Sequence, residues 1–377
     1  VKCVVCDAPA RAFVKAIKLC SGYYGCDHCT QKGVWVAGRV TYQELGAPRR
    51  SDESFRNRKQ PEHHQGETPF LMTGLDMITN FPVDYMHQVC LGVMKKLLLL
   101  WLRGDRTIRL SAGQAARISS RLKILARSIP SVFARKPRGL EDVDRWKATE
   151  FRQFLMYTGC VALKDILRDD LFDHFLCLSS AICILVNPDL QCHYSYAGQL
   201  LDYFVQRGVE LYGREFIVYN VHSLTHLSEQ ARQSGCLDNS SAFHFESFLG
   251  RLKKLVSTGK NPLAQVVNRL DNVLLSNLTV NRYKVSPKPP NNAFIVDGLC
   301  CVVLSQCRDD HFMCRIYGSS TKIFQRPCDS RTVGKYACDI AESEVKTYNL
   351  DKLYTSRQAI MLSRGNKIIF LTLMHAG

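Results

Sequence analysis

The chain has 377 residues, 46% of them hydrophobic and 22% charged, a composition that argues against intrinsic disorder and allows two or three domains with a sizeable core. The longest apolar runs, residues 97–102 and 175–186, are too short to cross a bilayer; the 17 cysteines are scattered and odd in number, which argues against a disulfide framework and for a reducing compartment. The formal charge of +16 is concentrated: residues 95–152 carry fifteen Lys and Arg against five Asp and Glu, and residues 247–287 seven against one, so two segments offer a polyanion a basic surface.

The sequence opens without Met on the apolar run VKCVVC, as a piece of a longer chain would. Residues 1–6 predict a strand buried on both faces and ending at Asp7. Ala8-Pro9 then opens a short helix through Lys18, with Pro in the first turn where its missing N–H costs nothing. In "YYGCDHCTQKG", Cys26 and Cys29 stand at the spacing of a zinc knuckle. Residues 46–69 are polar and almost free of aliphatic side chains, which predicts an exposed excursion. A short strand and a helix are expected in "FPVDYMHQVCLGVMKKLLLLWL", with Asp84 and His87 at the strand end; an auxiliary metal or phosphate contact and a structural pair are both open for these two.

Apolar residues at three- and four-residue spacing predict helices over 111–128, 148–167, 171–186, 194–212, 219–233, 243–257 and 262–278. The Pro-rich stretch SPKPPNN, residues 286–292, reads as a linker and domain boundary. Beyond it AFIVDGLCCVVLS, HFMCRIYG, KIFQRP, KYACDI and KIIFLTL read as short strands.

A tetrahedral zinc needs four ligands, and the partners for Cys26 and Cys29 are found in "YNVHSLTHLSEQA". His222 and His226, at i and i+4, share one helix face. The set is Cys₂His₂ with its halves 193 positions apart, a clamp between distant segments. A redox-active CxxC and a merely packed His pair are the alternatives. Two acids flank the halves: Asp7, nineteen residues before Cys26, and Glu246, twenty after His226 in "SAFHFESFLGRLKK". Glu246 falls at the edge of an apolar stripe formed by Phe245, Phe248, Leu249, Leu252, Leu255 and Val256. Asp7 also reads as an N-cap ahead of Ala8-Pro9, and Glu246 as an exposed helix position. The cations placed to meet phosphates are Arg135, Lys136, Arg138, Arg145, Lys147, Arg152, Arg251, Lys253 and Lys254. Trp146 reads either as a base-stacking platform or as core.

The motifs "VVCDAPARAFVK", "GYYGCDHCTQKGVW", "DYMHQVCLGVMKKLLLLWL", "DRWKATEFRQFLMYTG", "YNVHSLTHL" and "FHFESFLGRLKKLV" occur in fixed order. They resemble the RNase H-like DDE transposases, most nearly the EnSpm/CACTA group with its Mirage and Chapaev relatives, and more distantly the catalytic core of the V(D)J recombinase. The resemblance spans residues 1–285. It implies an α/β fold whose RNase H-like core is interrupted by a large all-α insertion, and the strand pattern beyond the Pro-rich stretch adds a small β-rich C-terminal domain. Residues 1–90 would be a partial core with the knuckle, 91–220 the insertion, 221–285 the helices completing the core, and 286–377 the β-rich domain. It further implies Asp7 and Glu246 as the second and third catalytic acids holding Mg²⁺ or Mn²⁺, and Cys26, Cys29, His222 and His226 as ligands of a structural zinc. The implied partners are transposon-end and target DNA and further copies of the chain in a synaptic complex, in the nucleus and away from membranes. The first catalytic Asp of such enzymes lies on an earlier strand, and none of residues 1–6 is acidic. A zinc-stabilised DNA-binding protein that has lost catalysis is the alternative expectation.

Overall fold

The computed structural model describes residues 2–276, 285–308 and 310–374. Its N-terminal part is built from short elements. Helix α1 (Ala8–Lys15) begins where the Asp7 carboxylate accepts the Ala10 N–H at 2.8 Å, with Pro9 in the first turn. A hairpin of β1 (Val34–Val36) and β2 (Arg39–Thr41) follows, then the short helix α2 (Asp52–Arg56).

Of the expected strand over residues 1–6, Val1 lies outside the described residues and residues 2–6 form no strand. Among the described residues, 3–6 are only half-buried, the Val4 N–H donates to Asn80 O at 2.8 Å, and Cys6 makes a single parallel bridge to Val83. With pairing on one edge only, the segment stops at a bridge. Asp7 and Asp84 each follow a member of that bridge, so both stand at the carboxyl ends of the two parallel segments. The excursion over 46–69 is mostly exposed as expected, but Arg50, Phe55, His63 and Thr68 are buried in it, and its backbone pairs with the cysteine turn through Thr30 N–Pro48 O and Arg50 N–His28 O.

From Met86 the chain is helical. A π-helical stretch, Met86–Met94, runs into α3 (Lys95–Arg103). Next comes α4 (Ala112–Leu125), started by a capping box in which Ser111 and Gln114 exchange side-chain bonds to each other's backbone N–H. The predicted helix over 148–167 is broken into α5 (Ala148–Gln153), a π turn, and α6 (Gly159–Ala162). Helix α7 (Asp169–Val186) is apolar on nearly every side and enclosed from His174 onward, packed along α8 (Tyr194–Tyr212). Helix α8 stops at Gly213, whose φ of 86° only glycine adopts without strain. The run over 219–234 comprises α9 (Tyr219–His222), a 3₁₀ turn, and α10 (Leu227–Ser234).

Helices α11 (Phe243–Lys254) and α12 (Pro262–Ser276) form as predicted, and the last two residues of the 262–278 expectation lie outside the described residues. Their apolar faces are not covered: Phe245 is 58% exposed, Leu249 49% and Leu263 80%. The Phe245, Phe248 and Leu249 part of the stripe beside Glu246 therefore faces solvent.

The C-terminal part is one antiparallel eight-stranded sheet. Its strands are β3 (Ala293–Val296), β4 (Leu299–Arg308), β5 (His311–Tyr317), β6 (Ser320–Lys322), β7 (Lys335–Asp339), β8 (Ser343–Asn349), β9 (Arg357–Arg364) and β10 (Lys367–Thr372), in the order β6-β7-β10-β9-β3-β4-β5-β8. KIFQRP is strand only at its first residue, because Ile323 N–H turns to Ser330 Oγ and Ile323 and Phe324 tuck into the helical core. The sheet curls so that Ala293, Cys300 and Tyr317 meet Cys338, Ala359 and Phe370. Helix α13 (Leu350–Thr355) covers its other face through Leu353. Ile360, Leu362, Ile369 and Leu371 belong to the same hydrophobic core as α7, and Ser131 donates to Asn291 in the Pro-rich stretch. The described residues of 286–374 thus form a sheet docked on the helices. The chain is a mixed α/β structure with a large helical region and a C-terminal sheet.

Candidate metal centre

The turn carrying Cys26 and Cys29 is shaped by Gly25, where a Cβ would lie 2.2 Å from Leu19 O and 2.8 Å from Tyr42 Oη. Across the core, His222 ends α9 and His226 precedes α10. The four side chains are buried and their ligand atoms all lie within 4.8 Å of one another, the one such group of three or more among the described residues. Cys26 Sγ is 3.3 Å from His226 Nε2, Cys29 Sγ 3.3 Å from His222 Nε2, and the two Nε2 atoms are 3.3 Å apart. Tetrahedral zinc bonds place two imidazole nitrogens about 3.3 Å apart and a nitrogen and a sulfur about 3.5 Å apart. The donor set and spacing fit zinc, and all four positions come from the protein, which suits a structural ion.

The surroundings favour the ligating forms. Hydrogen bonding with Cys26 holds the Cys29 thiol below its ordinary value against the effect of burial, helped by the Gln31 N–H and by Arg49 and Arg50. Burial lowers the pKa of His226 and keeps it neutral. The Tyr42 ring stacks on His222 at 5.1 Å and its hydroxyl donates to Gly22 O at 2.6 Å. Arg50 donates to Cys26 O, and Arg49 donates to Thr225 O, pairs with Glu229 and contacts His226 Nδ1.

Beside the cysteines is a charged network that the sequence reading did not find. Arg11 and Lys15, one turn apart on α1, are both buried and both face Asp27. Tyr219 Oη accepts from Arg11 at 2.7 Å and donates to Asp27 at 2.8 Å, and Arg11 also donates to Cys6 O and Pro82 O. Burial opposes ionisation of Asp27, but Arg11, then His28 and Lys15, hold its carboxyl well below the usual range. Burial pulls Lys15 down to about 8. Arg11 therefore joins the residues around Asp7, the knuckle and α9 in one buried cluster. The signal in the sequence was an acid between two metal-type cysteines and two cations at i and i+4 on an amphipathic helix.

Asp84, buried, receives the Ala242 N–H at 2.9 Å and the His87 N–H, and its carboxylate lies 2.6 Å from His87 Nδ1. The hydrogen bond with Asp84 raises the pKa of His87 against burial, and the charges of Asp7 and Glu246 raise it further. Asp7 and Glu246, 239 positions apart in the chain, thus both lie within electrostatic reach of one imidazole. Asp7 is engaged as the cap of α1, and Glu246 is exposed on α11.

The basic residues divide. Arg135, Arg145, Lys147, Lys253 and Lys254 are exposed, as is Arg251, whose guanidinium stands over Phe248. Lys136 donates to Ile129 O, and Arg138 grips the buried Glu150 at 2.7 and 2.9 Å. Arg152 is removed from the phosphate-contacting set: its side chain is only 11% exposed, donates to both oxygens of Asp238 at 2.9 Å, and lies against Phe243 and Tyr85. A guanidinium so enclosed braces the core. Trp146 is core too, packed on Phe151 and Phe154, with its indole N–H donating to Gly139 O.

No known protein family, curated protein or solved structure matches this chain.

Proposed function

We propose that this chain is the catalytic core of a DNA transposase of the EnSpm/CACTA-like DDE type, an RNase H-like core holding Asp7 and Glu246 around a structural zinc. The observation that carries the reading is convergence. Cys26, Cys29, His222 and His226 come together across the fold, while Asp7 and Glu246 act on the same His87. Two Mg²⁺ or Mn²⁺ ions held by such carboxylates would stabilise the attacking and leaving oxygens of an in-line displacement at a phosphodiester. The chain's own part is positional: the Cys6–Val83 bridge and the α1 cap fix Asp7, Asp84 joins the end of that bridge to the start of α11, and a zinc held by Cys26, Cys29, His222 and His226 would fix the knuckle against α9. The exposed cations on α11 and around Arg145 would hold the DNA backbone, and the protein would act in the nucleus as a homo-oligomer on transposon ends.

The test has two arms. Mn²⁺ titration of the zinc-loaded chain, followed by electron paramagnetic resonance, should show a site lost in both Asp7→Ala and Glu246→Ala. Joined to a segment supplying the first carboxylate, the chain should nick duplexes bearing the element's terminal repeats with Mn²⁺ and not with Ca²⁺. Cleavage that survives Glu246→Ala would remove that residue from the mechanism. A zinc-stabilised DNA-binding protein without catalysis is favoured by one observation: among the described residues, the Cys/His group is the one set of metal-type ligands that converges closely. It predicts DNA binding with no Mn²⁺ site.

A further inference from the structure

A second feature lies on the outer side of the knuckle. The hairpin β1–β2 turns through Ala37 and Gly38, both at positive φ (47° and 80°), the tight two-residue connection that matches strand twist. Its second strand is anchored: Val40 and Tyr42 pack with Cys26, Cys29 and Tyr219. This anchored hairpin nevertheless presents Trp35 60% exposed, whereas Trp101 and Trp146 are buried. Trp35 and Arg39 line a cavity of about 410 Å³ that also reaches Asn220. Asn220 lines a second cavity, of about 340 Å³, whose walls include Lys95 and Lys96 from the start of α3. The Asn220 amide is held by Gln88, whose Nε2 donates to its Oδ1 at 2.9 Å, and it packs against Gly92, where a Cβ would come within 2.6 Å. The two cavities therefore share one fixed wall, Asn220, and flank it as a groove running from the hairpin to α3.

The charged residues lining this groove, Arg39, Lys95, Lys96 and Arg103, are all cationic; Arg103 is paired with Asp144, and Glu215 lies within electrostatic reach of Lys96. None of Arg39, Lys95 and Lys96 makes an ion pair among the described residues, and the Lys96 ammonium stands over the Phe216 ring at 5.6 Å. A rigidly held, exposed indole at one end and unpaired cations along the floor are the two parts of a single-strand nucleic-acid platform: a face on which a base stacks, and positive charge that tracks the backbone. We propose that the groove between the β1–β2 hairpin and α3 binds single-stranded nucleic acid, with a base stacked on Trp35 and phosphates against Arg39, Lys95 and Lys96. This site is separate from the zinc ligands and from the Asp7–Glu246 cluster, and it stands whether or not the chain cuts DNA.

Because Trp35 is the exposed tryptophan, its emission reports the stacking directly. Oligo(dT) of about twelve nucleotides, titrated into the zinc-loaded chain at low salt, should quench tryptophan fluorescence. Trp35→Phe should abolish the quenching while binding, measured by anisotropy of a labelled oligonucleotide, stays within about threefold. Trp35→Ala should weaken binding about five- to 150-fold. Arg39→Ala with Lys96→Ala should lower the slope of log affinity against log salt by about 1.4. Circular dichroism and melting should match the parent for each variant; if Trp35→Ala fails to fold, Trp35→Phe carries the test. Binding of oligo(dT) with no change in tryptophan emission would overturn the proposal, as would binding by Trp35→Phe that still quenches. So would a concentration-dependent dimer, seen by sedimentation, that Trp35→Ala abolishes in a chain that takes up no oligonucleotide; the hairpin would then be a contact between copies.

Discussion

Replacing Asp27 by Asn tests the buried network that ties α1 to the knuckle. The amide keeps the carboxylate's shape but leaves two buried cations facing no anion. Arg11, 2% exposed, would keep the Cys6 and Pro82 carbonyls and the Tyr219 hydroxyl. Lys15, 0% exposed, has its ammonium 3.9 Å from Asp27 and no hydrogen bond of its own. Breaking a buried ion pair from one side costs about 3–5 kcal/mol. Lys15, already lowered to about 8 by burial, can escape by shedding its proton near neutral pH, so the lower end applies, about 3 kcal/mol. A chain of 377 residues unfolds with an entropy of about 0.8 kcal/mol/K near 60 °C, so the melting point should drop by about 4 °C. Urea unfolding at pH 7, followed by far-ultraviolet circular dichroism on zinc-loaded protein, measures the loss. Arg11→Met combined with Asp27→Leu should recover at least half of it, since both charges then leave together. A loss below about 1 kcal/mol for Asp27→Asn alone would refute the assignment of Asp27 as the anion that holds this cluster.

Cys26→Ser and His226→Ala should each abolish stoichiometric zinc measured by mass spectrometry, and both should lower the melting point as chelation does; a cysteine variant that keeps its zinc would separate the two halves of the clamp. His174 is buried, stacks on Phe204 at 3.9 Å, donates from Nε2 to Phe204 O, and is lowered by burial to about 4. Between its unfolded value near 6.5 and that lower value the unfolded chain takes up a proton that the folded chain refuses. Stability is therefore full above about pH 6.5 and falls by about 3 kcal/mol towards pH 4, and His174→Phe should remove that part of the pH dependence in paired urea melts. Arg152→Ala should destabilise by about 3–5 kcal/mol by stranding the Asp238 carboxylate. Arg145→Ala should leave stability alone and lower the salt slope of duplex binding by about 1, and the reverse pattern would return Arg152 to the DNA surface.

Local sequence determined the pieces whose physics is local. The helices over 112–125, 169–186 and 194–212 were legible because apolar spacing and their punctuation, the Ser111–Gln114 box and Gly213 among them, act within a few residues. The ligand types were legible too, because CxxC and H-x₃-H are spacings that chemistry imposes on one turn or one helix face. Only the tertiary structure decided what those pieces meet. It joined Cys26 and Cys29 to His222 and His226, and put Asp7 and Glu246 within reach of His87. It took Arg152 out of the surface by giving it Asp238, left the Phe245, Phe248 and Leu249 part of the α11 stripe uncovered, and reduced the opening strand to one bridge. The physical reason is that burial and charge pairing are settled between segments tens to hundreds of residues apart. An arginine or an apolar stripe carries no mark of whether the opposing face is water, a carboxylate or a core.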